Sequence, residues 1–68
     1  MKLYELPRDK GIKIKLTDDQ VCSDGSTYII FGHIDGMYSY CETEKGGVIH
    51  LSASAPIIKV GDYYEIKD

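Results

Sequence analysis

The chain predicts an all-β fold, and three observations predict it. Apolar and polar residues alternate in several short runs, most cleanly in Ile12-Lys13-Ile14-Lys15-Leu16. Glycine-containing turns separate the runs, among them Asp24-Gly25, Asp35-Gly36 and Gly61-Asp62. No window of about eleven residues or more repeats its apolar positions at the helical spacing of three and four.

Each element follows from local chemistry. Lys2-Leu3-Tyr4-Glu5-Leu6 alternates and reads as a first strand, ended or confined to a sheet edge by Pro7. Ile12–Leu16 is the next strand, with Ile12, Ile14 and Leu16 on one face. Its lysines face solvent, as lysines guarding an edge strand do. After the loop Thr17-Asp18-Asp19-Gln20, Val21-Cys22-Ser23 reads as a short strand that turns at Asp24-Gly25 into a long strand ending at Ile34. Asp35-Gly36 turns the chain into Met37–Glu42, and the glycines of Thr43-Glu44-Lys45-Gly46-Gly47 allow a looser turn into Val48–Ser52. Ala53–Pro56 is a connector with room for one 3₁₀ turn. Pro56–Val60 and Tyr63–Ile66 flank Gly61-Asp62, which suits a type II′ hairpin. Six or seven short strands over one domain, residues 1–68, describe a small antiparallel barrel of the SH3-like kind. An OB-like barrel ranks second, because it needs more residues and a helix between strands.

A chain of 68 residues buries only about 60% of its unfolded surface, so its core must be thin. The 43% hydrophobic and 28% charged content is that of an ordinary globule. No apolar run approaches the roughly 20 residues that span a bilayer. The N-terminus lacks the apolar stretch of a secretory signal, so the expectation is a cytoplasmic protein with no membrane partner. Cys22 and Cys41 are then expected as reduced thiols, a bridge between them being the alternative. Residues 1–16 carry five basic groups against two acidic, a local charge of +3; residues 17–68 carry three against nine, or −6.

The densest chemistry lies between Phe31 and Cys41. A two-residue loop at Asp35-Gly36 would pair Ile34 with Met37, His33 with Tyr38, Gly32 with Ser39, Phe31 with Tyr40 and Ile30 with Cys41. One face then holds Tyr28, Ile30, Gly32, Ile34, Met37, Ser39 and Cys41. The other holds Ile29, Phe31, His33, Tyr38, Tyr40 and Glu42. A four-residue loop at Thr43–Gly46, shifted by one to keep alternation, sets His50 beside Tyr40 and Ile49 beside Cys41. The first face is the more aliphatic and makes the better core. Inverting the faces would bury the aromatics and histidines instead.

These positions argue against several chemistries. Cys22, His33, Cys41 and His50 are spaced by 11, 8 and 9 residues, without the close pairs of structural zinc sites. Cys41 faces away from both histidines, which removes a Cys–His nucleophile. Asp18-Asp19 and Glu42 with Glu44 lie in or beside exposed loops, where nothing raises a carboxylate pKa. The expectation is a non-enzymatic protein with no cofactor and no metal. Phe31, His33, Tyr38, Tyr40 and His50 form the candidate surface for a protein partner or a second copy of the chain. The same aromatics have a simpler role in holding the hairpin together. The rival is nucleic-acid binding through Arg8, Lys10, Lys13 and Lys15 beside the aromatics.

His33-Ile34-Asp35-Gly36-Met37-Tyr38-Ser39-Tyr40-Cys41, a glycine-containing turn, and Val48-Ile49-His50-Leu51-Ser52-Ala53 resemble a pattern in short proteins encoded by tailed bacteriophages. The resemblance covers Phe31 to Ala53 and extends to the opening Lys2–Arg8. It implies a phage or prophage origin and a small accessory β protein. It implies no activity and assigns no functional residue.

Overall fold

Glycine phase and apolar spacing decide how the strands of this chain face. The computed structural model describes residues 1–17 and 24–67. Its strands are β1 (Ile12–Lys15), β2 (Tyr28–Asp35), β3 (Tyr38–Thr43), β4 (Val48–Ile49), β5 (Ile57–Val60) and β6 (Tyr63–Ile66). They form one mixed sheet in the order β4-β3-β2-β1-β6-β5. Its neighbours are antiparallel except β1 and β6, which run parallel. Tight turns impose antiparallel pairing only on strands adjacent in sequence. β1 and β6 come from opposite ends of the chain, so their direction is free, and a wholly antiparallel sheet is not what forms. β1 is central rather than at an edge, so Lys13 and Lys15 are not edge guards.

The molecule measures 26 × 23 × 20 Å along its principal axes. Among the described residues the core is built from Leu3, Leu6, Ile14, Leu16, Ile29, Phe31, Cys41, Leu51, Ile57 and Ile66. Leu3–Glu5 is a 3₁₀ turn and not a strand. Leu3 and Leu6 are both buried, and a spacing of three residues brings both to one side of a 3₁₀ helix. The Glu5 carboxylate accepts the Lys2 N–H and closes the turn.

The β2–β3 hairpin departs from a simple ladder in two ways. Asp35 pairs with Tyr38, so the two-residue loop is Gly36-Met37, with Gly36 at φ +67°. This moves the pairing sum by two and leaves the faces near the turn as the sequence predicts: Ile34 and Ser39 inward, His33, Tyr38 and Tyr40 outward. Gly32 is then an extra residue, because Phe31 pairs with Cys41 while His33 pairs with Tyr40. The bulge reverses the phase of the strand. Ile29 and Phe31 point into the core, while Tyr28 and Ile30 are only partly buried and share the outer face. Phe31, 1% exposed, leaves the candidate surface.

The loop after β3 has three residues, Glu44-Lys45-Gly46, since Thr43 N–H donates to Gly47 O at 2.8 Å and Gly46 carries φ +86°. The predicted neighbours hold: Cys41 pairs with Ile49, and Tyr40 lies against His50. The predicted strand Val48–Ser52 keeps this register to a bridge between Tyr38 and Ser52, but only Val48–Ile49 is regular strand. At Leu51 a side chain takes over the ladder, because the Leu51 N–H donates to Ser39 Oγ at 3.0 Å. The connector makes one tight turn, with Ala55 N–H donating to Ser52 O at 3.0 Å. β5 and β6 meet as expected, Val60 paired with Tyr63, and only Gly61 of the two loop residues has positive φ, as in a type II′ turn. The predicted strand Val21-Cys22-Ser23 and any Cys22–Cys41 bridge lie outside the described residues.

A Cβ on Gly32 would sit 2.6 Å from the Tyr40 carbonyl oxygen. Gly32→Ala should therefore destabilise the protein by about 1–3 kcal/mol through forced backbone displacement. The urea unfolding midpoint measures this, and an unchanged midpoint would show that the bulge relaxes freely.

Candidate functional site

Period-two alternation along β3 puts Tyr38, Tyr40 and Glu42 on the outer face, opposite the buried Ser39, Cys41 and Thr43. His33 on β2 stacks on Tyr40 with centroids 5.4 Å apart and planes 10° from parallel. His50 meets Tyr40 edge-on from the other side at 5.6 Å. The His50 ring has a fixed orientation. Its Nδ1 lies 2.9 Å from Ser39 O, and a carbonyl can only accept, so Nδ1 carries the hydrogen of this bond. Four of the five predicted contact residues thus converge: His33, Tyr38, Tyr40 and His50. Tyr38 is 59% exposed and Tyr40 40%, with Met37 at 81% on the adjoining turn.

The basic residues of the rival reading fall in β1 and in the loop before it. Lys13 is opposite Ile30 and Lys15 opposite Tyr28, so both lie on the same outer face as the tyrosines. The Lys13 ammonium sits 4.9 Å from the Tyr28 ring centre, and Tyr63 packs edge-on against Tyr28 at 5.9 Å. Lys15 reaches Glu65 at 4.0 Å, and Arg8 reaches Asp9 at 3.4 Å. Arg8 and Lys10 are exposed in the loop before β1.

Two shallow concavities flank the His33–Tyr40–His50 cluster. One, of about 360 Å³, lies beside the bulge and is lined by Asp9, Ile30, Gly32, His33, Tyr40 and Glu42, among others. The other, of about 370 Å³, is lined by Asp35, Tyr38, Ser39 and His50. Cys41 is on the inner face, fully buried, and burial pushes its thiol above the ordinary pKa. A thiol of that kind is a poor nucleophile. Among the described residues, no group of three or more histidines, cysteines or carboxylates is placed to hold a metal ion. No helix among them is long and apolar enough to cross a membrane.

A polar clasp at the far end of the hairpin escapes the sequence reading. Asp24 accepts the Thr43 hydroxyl at 2.6 Å and the Ser26 N–H at 2.9 Å, while Lys45 donates to Asp24 O at 2.9 Å. Glu44 accepts the Tyr28 N–H at 2.7 Å and the Thr27 N–H at 3.0 Å. These carboxylates cap the start of β2. The Asp-x-Ser spacing of Asp24 and Ser26 is the one local signal of it, an Asx turn. Comparison with protein-family models, with curated proteins and with solved structures gives no match for this chain.

Hydrogen bonds from the Thr43 hydroxyl and from Ser26 lower the Asp24 pKa from an ordinary 3.8 to about 2. The Tyr28 and Thr27 amides lower that of Glu44. A depressed folded-state pKa contributes stability that is complete above the unfolded value and is lost as pH falls through the folded one. Stability should therefore decline from about pH 4 to pH 2. Asp24→Asn should flatten part of that decline, as read by urea unfolding across the range; an identical acid profile would remove Asp24 from the clasp.

Proposed function

We propose that this chain is a non-enzymatic interaction module that binds another protein through the outer aromatic face of its sheet. The carrying observation is that His33, Tyr38, Tyr40 and His50, from three segments of chain, emerge together on one face toward solvent. Tyrosine and histidine combine an apolar body with a polar tip and suit surfaces that are alternately wet and covered. Glu42, Lys13 and Lys15 supply a charged rim. In architecture the module reads as a small SH3-like barrel. The segment from Leu51 to Ile57 leads from β4 into β5, and the N-terminus lies along it, with Leu3 N–H donating to Ala55 O at 2.9 Å and Tyr4 N–H to Ala53 O at 3.0 Å. In origin it reads as a phage or prophage accessory protein acting in the host cytoplasm, on the resemblance carried by Phe31 to Ala53.

Tyr38→Ser with Tyr40→Ser should leave the fold intact, because both rings are exposed, and should abolish capture of the protein that the unaltered chain binds. Light scattering after size exclusion, over a tenfold concentration range, shows whether that protein is a second copy. A folded double variant that still captures the same protein would end this reading.

A nucleic-acid reading is favoured by one observation, the placement of Lys13 and Lys15 on the face that carries Tyr28 and Tyr40. On that reading, single-stranded oligonucleotide affinity should fall with salt at a log–log slope of about −0.7 per phosphate contacted. No binding at low salt would remove it.

A further inference from the structure

We propose that the groove beside the β2 bulge receives an arginine side chain of a polypeptide partner; the proposal rests on the reading of the outer face as a protein-docking surface. The bulge makes the groove. Gly32 lines it, and the Asp9 N–H donates to Gly32 O at 2.7 Å, holding the loop before β1 against the strand. That bond brings the loop's carboxylate-bearing residue to the same concavity as Glu42. No lysine or arginine lines it. Glu42 has no hydrogen bond or ion pair among the described residues, and Asp9 is engaged only by Arg8 Nε at 3.4 Å, with both side chains well exposed.

The chemistry of this lining is specific. Two carboxylates, Asp9 held only by the exposed arginine next to it in sequence and Glu42 by no cation among the described residues, attract positive charge. The stacked His33–Tyr40 pair forms a flat aromatic wall beside them. A guanidinium is planar, weakly hydrated and forked, so it can lie against rings while donating to a carboxylate. An ammonium is a compact, strongly hydrated charge that fits such a wall less well. At about 360 Å³ and open to solvent, the groove is at the bottom of the range for small-molecule sites, roughly 300–1,000 Å³. That size suits one long side chain from a chain laid across the sheet.

The test is an amide NMR titration of the full chain, at low salt, with the capped pentapeptide Gly-Gly-Arg-Gly-Gly and its lysine and citrulline counterparts. The arginine peptide should shift the amides of His33, Tyr40 and Glu42 saturably. The lysine peptide should bind more weakly, and the citrulline peptide, which is nearly isosteric but uncharged, should not saturate. Glu42→Gln, an exposed change that leaves the fold intact, should weaken the arginine peptide about threefold to fivefold. Equal binding of all three peptides, saturable shifts elsewhere on the protein, or an unchanged affinity in Glu42→Gln would overturn the proposal. Loss of a protein partner on substitution of Tyr38 and Tyr40, with no arginine-peptide binding, would overturn the groove and leave the aromatic face. Arginine-peptide binding beside a partner indifferent to Tyr38 and Tyr40 would uphold the groove and overturn the wider face.

Discussion

Only 2.6 Å would separate a Cβ at position 32 from the Tyr40 carbonyl oxygen, and the arrangement of both sheet faces depends on that position staying empty. An unbroken β2 would have to choose one set of alternate residues for the core. Tyr28, Ile30, Gly32 and Ile34 would leave Phe31 in water; Ile29, Phe31, His33 and Asp35 would bury an imidazole and a carboxylate. The bulge avoids both, and Ile29, Phe31 and Ile34 all reach the inner side. Burial of a phenylalanine is worth about 1.5–3 kcal/mol, whereas a cross-strand pair on the outer face is worth about 0.2–1 kcal/mol. Core placement of Phe31 therefore outweighs any pairing it could make with Tyr40 outside. Once Phe31 is inside, the phase after the bulge leaves His33 beside Tyr40.

A core of ten buried apolar residues among those described leaves little margin, and polar bonds at both ends of the β2–β3 hairpin add to it. Ser39 is fully buried, yet its hydroxyl accepts from Leu51 N–H at 3.0 Å and faces Leu51 O at 3.1 Å. Its backbone carbonyl meets the His50 ring at 2.9 Å. One serine thus ties the strand after the Gly46 turn to β3 and orients an imidazole on the outer face. The Asp24 and Glu44 clasp does the same at the other end, where carboxylates cap amides that the sheet leaves unpaired. Structure and surface meet at this residue: removing Ser39 Oγ would leave the buried Leu51 N–H without its acceptor, while the Ser39 carbonyl that holds the His50 ring would stay in place.

Elements that rest on turn chemistry or strict alternation are legible in the sequence. The β5–β6 hairpin around Gly61-Asp62, the outward tyrosines of β3, and the pairing of Cys41 with Ile49 all follow from residues within a few positions. Features that require a choice between distant partners are not. Phe31 faces inward because the apolar spacing changes from two (Ile29, Phe31) to three (Phe31, Ile34) across a lone glycine, and that change is the one signal of the bulge. The parallel β1–β6 pair joins segments some fifty residues apart, and no local pattern encodes it. Leu3–Glu5 alternates like a strand, but the demand to bury both Leu3 and Leu6 gives the 3₁₀ turn. The aromatic surface is readable on β3 and at His33, and misread at Phe31, on the far side of the bulge.

Charge on the outer face separates the two functional readings. Five basic residues precede or lie in β1, which on composition alone suits a phosphate backbone. Their surroundings reduce that attraction: Arg8 is paired with Asp9, Lys15 with Glu65, and the Lys13 ammonium rests over the Tyr28 ring. Such exposed pairs are individually weak, about 0–1 kcal/mol, so a strong polyanion could displace them. But phosphate binding gains most when several uncompensated cations act together. Here each of those three has a neighbour on its own surface, while Glu42 has no such neighbour among the described residues. A field of that sign admits a partner's cation more readily than a chain of phosphates, and the aromatic rings beside it then serve as contact area rather than as a platform for bases.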